Sequence, residues 1–137
     1  MGRKRAREST MKLLYQMEMN NDFSDNIINI FFENNKFDEK EKEYILEAVN
    51  KIIENLEKID SHIEKNINNW ELNRLAKIDL CILRVAVYEI MHRPDIPIEV
   101  SINEAIEISK KYSSSESSRF INGVLGSIVR SNDINDQ

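Results

Sequence analysis

Between Ile78 and Met91 the chain reads IDLCILRVAVYEIM, apolar on almost every side of a helix yet broken by Asp79, Arg84 and Glu89. A helix that is apolar all round has to be enclosed by other helices, so this stretch predicts a central helix inside a bundle. The predicted helix spans 74–91, within WELNRLAKIDLCILRVAVYEIMH. Charges in such a helix must meet a partner or reach a surface groove through the packing. Arg84 and Glu89 are read as paired charges at the core edge that fix helix register. For Asp79, which shares a face with Leu75, Ile82 and Ala86, structural pairing and partner binding stand side by side.

The rest of the chain supplies the surrounding helices. Three glycines and two prolines in 137 residues leave little material for a turn-rich sheet protein, and the apolar residues recur at helical spacing. The expected class is all-α, in one domain over residues 1–137, because a chain of this length builds one core. A first helix carries the stripe Thr10, Leu13, Leu14 and Met17. NNDFSDN breaks it, and IINIFFEN forms a short second helix. Asp38 is a plausible cap for a long helix carrying Tyr44, Ile45, Ala48, Val49 and Ile52 on its buried side. Asp60 or Ser61 is expected to cap a further short helix. Pro94 and Pro97 bracket a turn. Ser101 and Glu104 have the spacing of a capping box. Phe120, Val124, Leu125 and Ile128 stripe the last helix, where Gly123 and Gly126 suggest either close helix approach or a local kink. NDINDQ reads as a frayed end.

Charge is unevenly distributed. The formal net charge is -5, yet Arg3, Lys4, Arg5, Arg7 and Lys12 face only Glu8 at the start. Such a head is a solubilising tail, a membrane arm or a footprint for nucleic acid. The polar face is not continuously basic, which argues against binding at a lipid surface. No segment approaches ~18 uninterrupted apolar residues, and no apolar block follows the basic start, so a cytoplasmic protein is expected. Cys81 is the single cysteine and is read as core filling. His62 and His92 are read as independent surface residues. Nucleotide loops, dinucleotide fingerprints and paired-cysteine metal motifs are absent, and no carboxylate pair stands out as acid and base. No catalytic residue, metal ligand or cofactor is therefore assigned, and an enzyme is not expected.

A second basic and aromatic segment is KKYSSSESSRFIN. Lys110, Lys111 and Arg119 offer cations, Tyr112 and Phe120 offer ring faces, and the serines offer hydrogen bonds. Single-stranded RNA is commonly held by such a mixture of phosphate neutralisation and base stacking. The same residues also suit a core phenylalanine behind a serine-rich loop and cap. If the basic head folds beside this segment, the two make a composite surface, and the acidic faces elsewhere favour a basic protein partner.

These motifs resemble the NusB family of transcription antitermination factors over nearly the whole chain. RKRARESTMKLLYQME is similar to the family's basic start, and WELNRLAKIDLCILRVAVYEI, DIPIEVSINEAIEISKKY and SSRFINGVLGSI match its later signatures in order. The resemblance implies a compact helical bundle of two packed helical subdomains around the central apolar helix. It implies binding of boxA RNA from ribosomal operons with the small-subunit ribosomal protein NusE, in a complex that helps RNA polymerase resist termination. No chemical conversion and no cofactor are implied. Arg3, Lys4, Arg5 and Arg7 then correspond to the RNA-contacting start, and Glu116, Ser117, Arg119 and Phe120 to a C-terminal RNA segment. Asp79 falls on the helix associated with the NusE interface. Lys4 interrupts the usual arginine run, and Ser118 stands where some members carry a larger polar residue. Homodimers are known for parts of the family, and periodicity and charge leave monomer and homodimer open here. The alternative is a helical protein-interaction module without RNA specificity of its own.

Overall fold

The computed structural model describes residues 2–67 and 71–131. The NDINDQ segment, Met1 and Trp70 lie outside the described residues. Among those described, the elements are α1 (Gly2–Asn20), α2 (Asp25–Asn34), α3 (Glu39–Glu54), α4 (Leu56–Glu64), a 3-10 turn (Leu72–Arg74), α5 (Lys77–His92), α6 (Ile98–Tyr112) and α7 (Ser115–Arg130). The all-α expectation holds.

Local chemistry sets several boundaries. Asp38 accepts from the backbone N–H of Glu41 at 2.8 Å while the Glu41 carboxylate accepts from the Asp38 N–H at 3.0 Å, a reciprocal capping box at the start of α3. Ser114 caps α7 by accepting from the Ser117 N–H at 3.0 Å. The expected cap at Ser101 is corrected. Pro97 leads into α6, its ring compatible with a helix start because the missing N–H has no partner there anyway. Ser101 therefore lies inside the helix and donates to Glu89 Oε1 at 2.7 Å. Asp60 and Ser61 likewise fall inside α4, which follows Asn55 directly. The predicted 74–91 helix begins only at Lys77, because Leu75 and Ala76 are extended. Arg74 thus belongs to the preceding 3-10 turn.

Helix α5 is the hub. It packs against α1, α3, α4, α6 and α7, while α1 also packs on α3 and α6 on α7. This is the expected pair of helical groups around a central helix. Leu83, Val87, Tyr88 and Cys81 on α5 are fully buried together with Met11, Leu13 and Leu14 of α1, Ile45 and Ile52 of α3, and Leu125 and Ile128 of α7. Cys81 is core filling, and burial pushes its thiol up to about 12. Among the described residues, no helix is long and apolar enough to cross a membrane.

Gly123 and Gly126 both lie within α7, but among the described residues a Cβ at Gly123 would meet nothing within 4 Å and one at Gly126 only the end of Arg130. The helix is therefore continuous without close backbone approach at either glycine.

Neither histidine is a simple surface residue. His62 is buried. His92 stacks on Tyr88 with ring centroids 6.0 Å apart, and among the described residues its buried Nε2 has no hydrogen-bond partner. Burial, with the charges of Lys51 and Lys58, lowers the His92 pKa below the usual 6.5. A group depressed in the folded state contributes stability that is present above its unfolded pKa and lost as pH falls toward the folded value. Urea midpoints should therefore fall on going from about pH 7.5 to pH 5.5, and His92→Leu should flatten that decline. Equal pH dependence in parent and variant would remove His92 from the cause.

Candidate nucleic-acid interface

The basic head is the first turn and a half of α1, not a loose tail, so its side chains are fixed in direction by the helix. Arg3, Lys4 and Arg5 are exposed, whereas Arg7 is 6% exposed. Each reaches a different neighbour. The Arg3 guanidinium lies over the Tyr44 ring, 5.3 Å from its centroid. Lys4 Nζ meets Glu104 of α6 at 3.1 Å. Arg5 donates to Glu41 and to the Lys36 carbonyl, both at 2.8 Å, and covers the Phe37 ring. Arg7 turns inward. Its Nε donates to Glu89 at 2.6 Å, and Glu89 also accepts from Tyr44 and Ser101. That carboxylate ties together α1, α3, α5 and α6, with both charges removed from solvent. Burial and then the Glu89 charge raise the Tyr44 pKa well above its ordinary value, which keeps the phenol a donor.

Arg84 is a second buried charge of α5. It takes Asp60 of α4 through two nitrogens, at 2.8 and 2.9 Å, and Glu18 of α1 at 2.7 Å. Burial opposes its charge, but hydrogen bonds to Asp60 and Glu18 outweigh that and raise its pKa further. The register-fixing pairs expected for Arg84 and Glu89 are thus present, with partners on four other helices in all.

At the other end of α6, the serine cluster folds onto α5. Asp79 Oδ1 accepts from Ser113 at 3.0 Å and Oδ2 from Ser117 at 2.9 Å, and the two serine oxygens lie 2.8 Å apart. Ser109 and Ser118 are joined at 2.7 Å beneath them. Asp79 is therefore both structurally paired and set at the lip of a groove shared with Arg74, Leu75, Glu116, Ser117 and Phe120. Arg119 is exposed and points to a second groove, on the far side of Phe120, beside Asn66, Gly123 and Arg130. The structure thus brings Asp79, Glu116, Ser117 and Phe120 into one patch. Arg119 borders it, and the head lies further along the surface.

A line of contacts joins the two ends. Along α1 and α6, Lys4 meets Glu104, and Glu8 then accepts from Lys111 at 3.0 Å and from the Tyr112 hydroxyl at 2.8 Å. Lys12 follows, its Nζ 5.1 Å from the Tyr112 ring centroid. The hydrogen bonds from Lys111 and Tyr112 outweigh the burial of Glu8 and lower its pKa, so the carboxylate stays charged. Sequence reasoning gave Glu8 and Glu104 no part in this surface, because their partners lie about a hundred positions away along the chain.

Helices gathered about a central apolar α5, with a basic first helix laid beside the α6–α7 junction, define an all-α bundle with a surface of cations, hydroxyls and aromatic rings. The chain belongs to the NusB family, whose model matches residues 4–130. It is 48% identical to the transcription antitermination protein NusB of Acetivibrio thermocellus over 95% of this chain and 90% of that protein. It is 50% identical to that of Alkaliphilus oremlandii over 94% of each. Its fold matches the solved NusB of T. maritima with a TM-score of 0.86 at 37% identity, covering 98% of this chain and 97% of that one. It also matches a chain from a crystal structure of antitermination factors NusB and NusE in complex with dsRNA, with a TM-score of 0.86 at 25% identity over 95% of this chain and 97% of that one.

Proposed function

We propose that this protein is a non-enzymatic transcription antitermination factor of the cytoplasm. Residues 1–137 act as one unit that binds a boxA-like strand of ribosomal-operon RNA together with a NusE-like small-subunit ribosomal protein, in the service of RNA polymerase, without cofactor or metal. The observation that carries this reading is that α1, which displays Arg3, Lys4 and Arg5, is tied through Lys4–Glu104 and Glu8–Lys111 to α6, whose end leads into the α7 segment with Glu116, Ser117, Arg119 and Phe120. The cations neutralise phosphate, and the half-buried ring of Phe120 offers a face to a splayed base. Stacking of that kind needs an unpaired base, which favours a single strand over a duplex. Asp79, at the lip of the Phe120 groove, contacts the protein partner. The solved complex of a relative with NusE and dsRNA supports the coarser part of this reading, an RNA together with a NusE-like partner.

One observation favours the second reading, a protein-interaction module without RNA specificity. Lys4 and Arg5 already hold Glu104 and Glu41, so part of the head's charge is neutralised within the molecule. A fluorescence-anisotropy titration with boxA-like and scrambled strands, with and without the partner, separates the two. The expected result is preference for the boxA-like strand, stronger with the partner present. Arg5→Gln should weaken both strands, and Phe120→Ala should cost ~1–3 kcal/mol of RNA affinity if the ring stacks on a base. Asp79→Ala should weaken partner binding with the helical spectrum retained. Equal binding of both strands in every condition would defeat the antitermination reading and leave the protein-binding module.

A further inference from the structure

Two cations, Lys12 and Lys111, lie on the line of contacts between the head and the α6–α7 junction, and the function proposed above gives neither of them a ligand contact. Lys12 of α1 and Lys111 at the end of α6 both lie over the ring of Tyr112, 5.1 and 5.3 Å from its centroid. The Tyr112 hydroxyl is fixed by its hydrogen bond to Glu8, so the ring is a platform for the two ammonium groups and not for a base. Lys111 shares the Glu8 carboxylate, and that hydrogen bond raises its pKa. Lys12 has no carboxylate within ion-pair distance among the described residues. The two lysines with Glu8 therefore leave one positive charge uncompensated at the surface.

Position along the fold gives that charge a use. Lys4, Glu8 and Lys12 follow one another at four-residue spacing on one face of α1, about 12 Å from first to last at 1.5 Å per residue. A strand following this face from Lys4 towards the start of α7 meets the carboxylates of Glu104 and Glu8 on its way. Lys4 covers the first of these and Lys111 the second. Arg7, the remaining cation of the head, faces Glu89 in the interior and is not displayed to solvent.

We infer that Lys12 and Lys111, seated on Tyr112, form an additional phosphate-contacting site for single-stranded RNA, bridging the basic head and the α7 segment. The inference rests on the RNA-binding reading above. Its test is the salt dependence of binding for Lys12→Gln, Lys111→Gln and the double variant, with Arg5→Gln in parallel, using boxA-like and scrambled strands. Each lost phosphate contact should lower the magnitude of the log–log salt slope by roughly 0.7, and weaken both strands on the order of fivefold at 0.1 M salt. Both lysine changes are at exposed side-chain ends, so thermal unfolding should be unchanged and confirms that the variants are folded. A double variant with the parent's slope, beside an Arg5→Gln protein whose slope has fallen, overturns the bridging site while leaving the RNA reading intact. A parent protein that binds neither strand overturns both.

Discussion

Replacing Arg7 with Leu should cost about 3–5 kcal/mol of folding stability, the range found when one member of a buried ion pair is removed. The loss comes from Glu89, not from Arg7. Glu89 is 1% exposed, and without the guanidinium its charge is left in the core with only the Tyr44 and Ser101 hydroxyls as donors. Such a cost is a large share of the ~5–15 kcal/mol that holds a domain of ordinary stability together. Urea denaturation gives the shift directly, as a lower midpoint with an unchanged slope. Pairing the change with Glu89→Leu should recover most of the loss, because two apolar side chains need no desolvation of charge. A midpoint equal to the parent's for Arg7→Leu alone would mean that the ion pair contributes nothing. Arg7 was expected to touch RNA by resemblance. In this geometry its measurable effect is on the anchoring of α1, and through that on the direction of its exposed neighbours Lys4 and Arg5.

Leu83→Ala should cost ~2–5 kcal/mol, through lost transfer energy and the cavity left behind. Leu83 is 0% exposed in the middle of α5, where other helices pack around it and none can collapse into the space without leaving another contact. Thermal or urea unfolding reads the effect. RNA binding at a temperature where the variant stays folded should be nearly unchanged, because Leu83 touches no part of the surface patch. A small cost, under about 1 kcal/mol, would contradict the placement of α5 at the centre.

The sequence was most informative where the physics is local. Helical spacing of apolar residues marked every long helix, and the box at Asp38 and Glu41 was readable in part because its partners are three positions apart. It misled where two local signals competed. Ser101 and Glu104 have the spacing of a cap, but Pro97 opens the helix four residues earlier and frees both side chains for tertiary partners. Arg74 looked continuous with the central helix because periodicity does not register the two extended residues that separate them.

By itself, then, the amino-acid order determined an all-α chain, a central apolar helix that must be enclosed, and a family resemblance over almost the full length. These follow from propensity and amphipathic spacing, which act within a few turns of one helix. Tertiary structure alone decided what the charges do. Arg7 and Glu89 are 82 positions apart, Glu18 and Arg84 66, and Lys111 and Glu8 103. An ion pair forms according to which helix faces meet and how much water they exclude, and neither quantity is written in the local pattern. The same four basic residues at the start of the chain therefore divide into three displayed cations and one buried anchor.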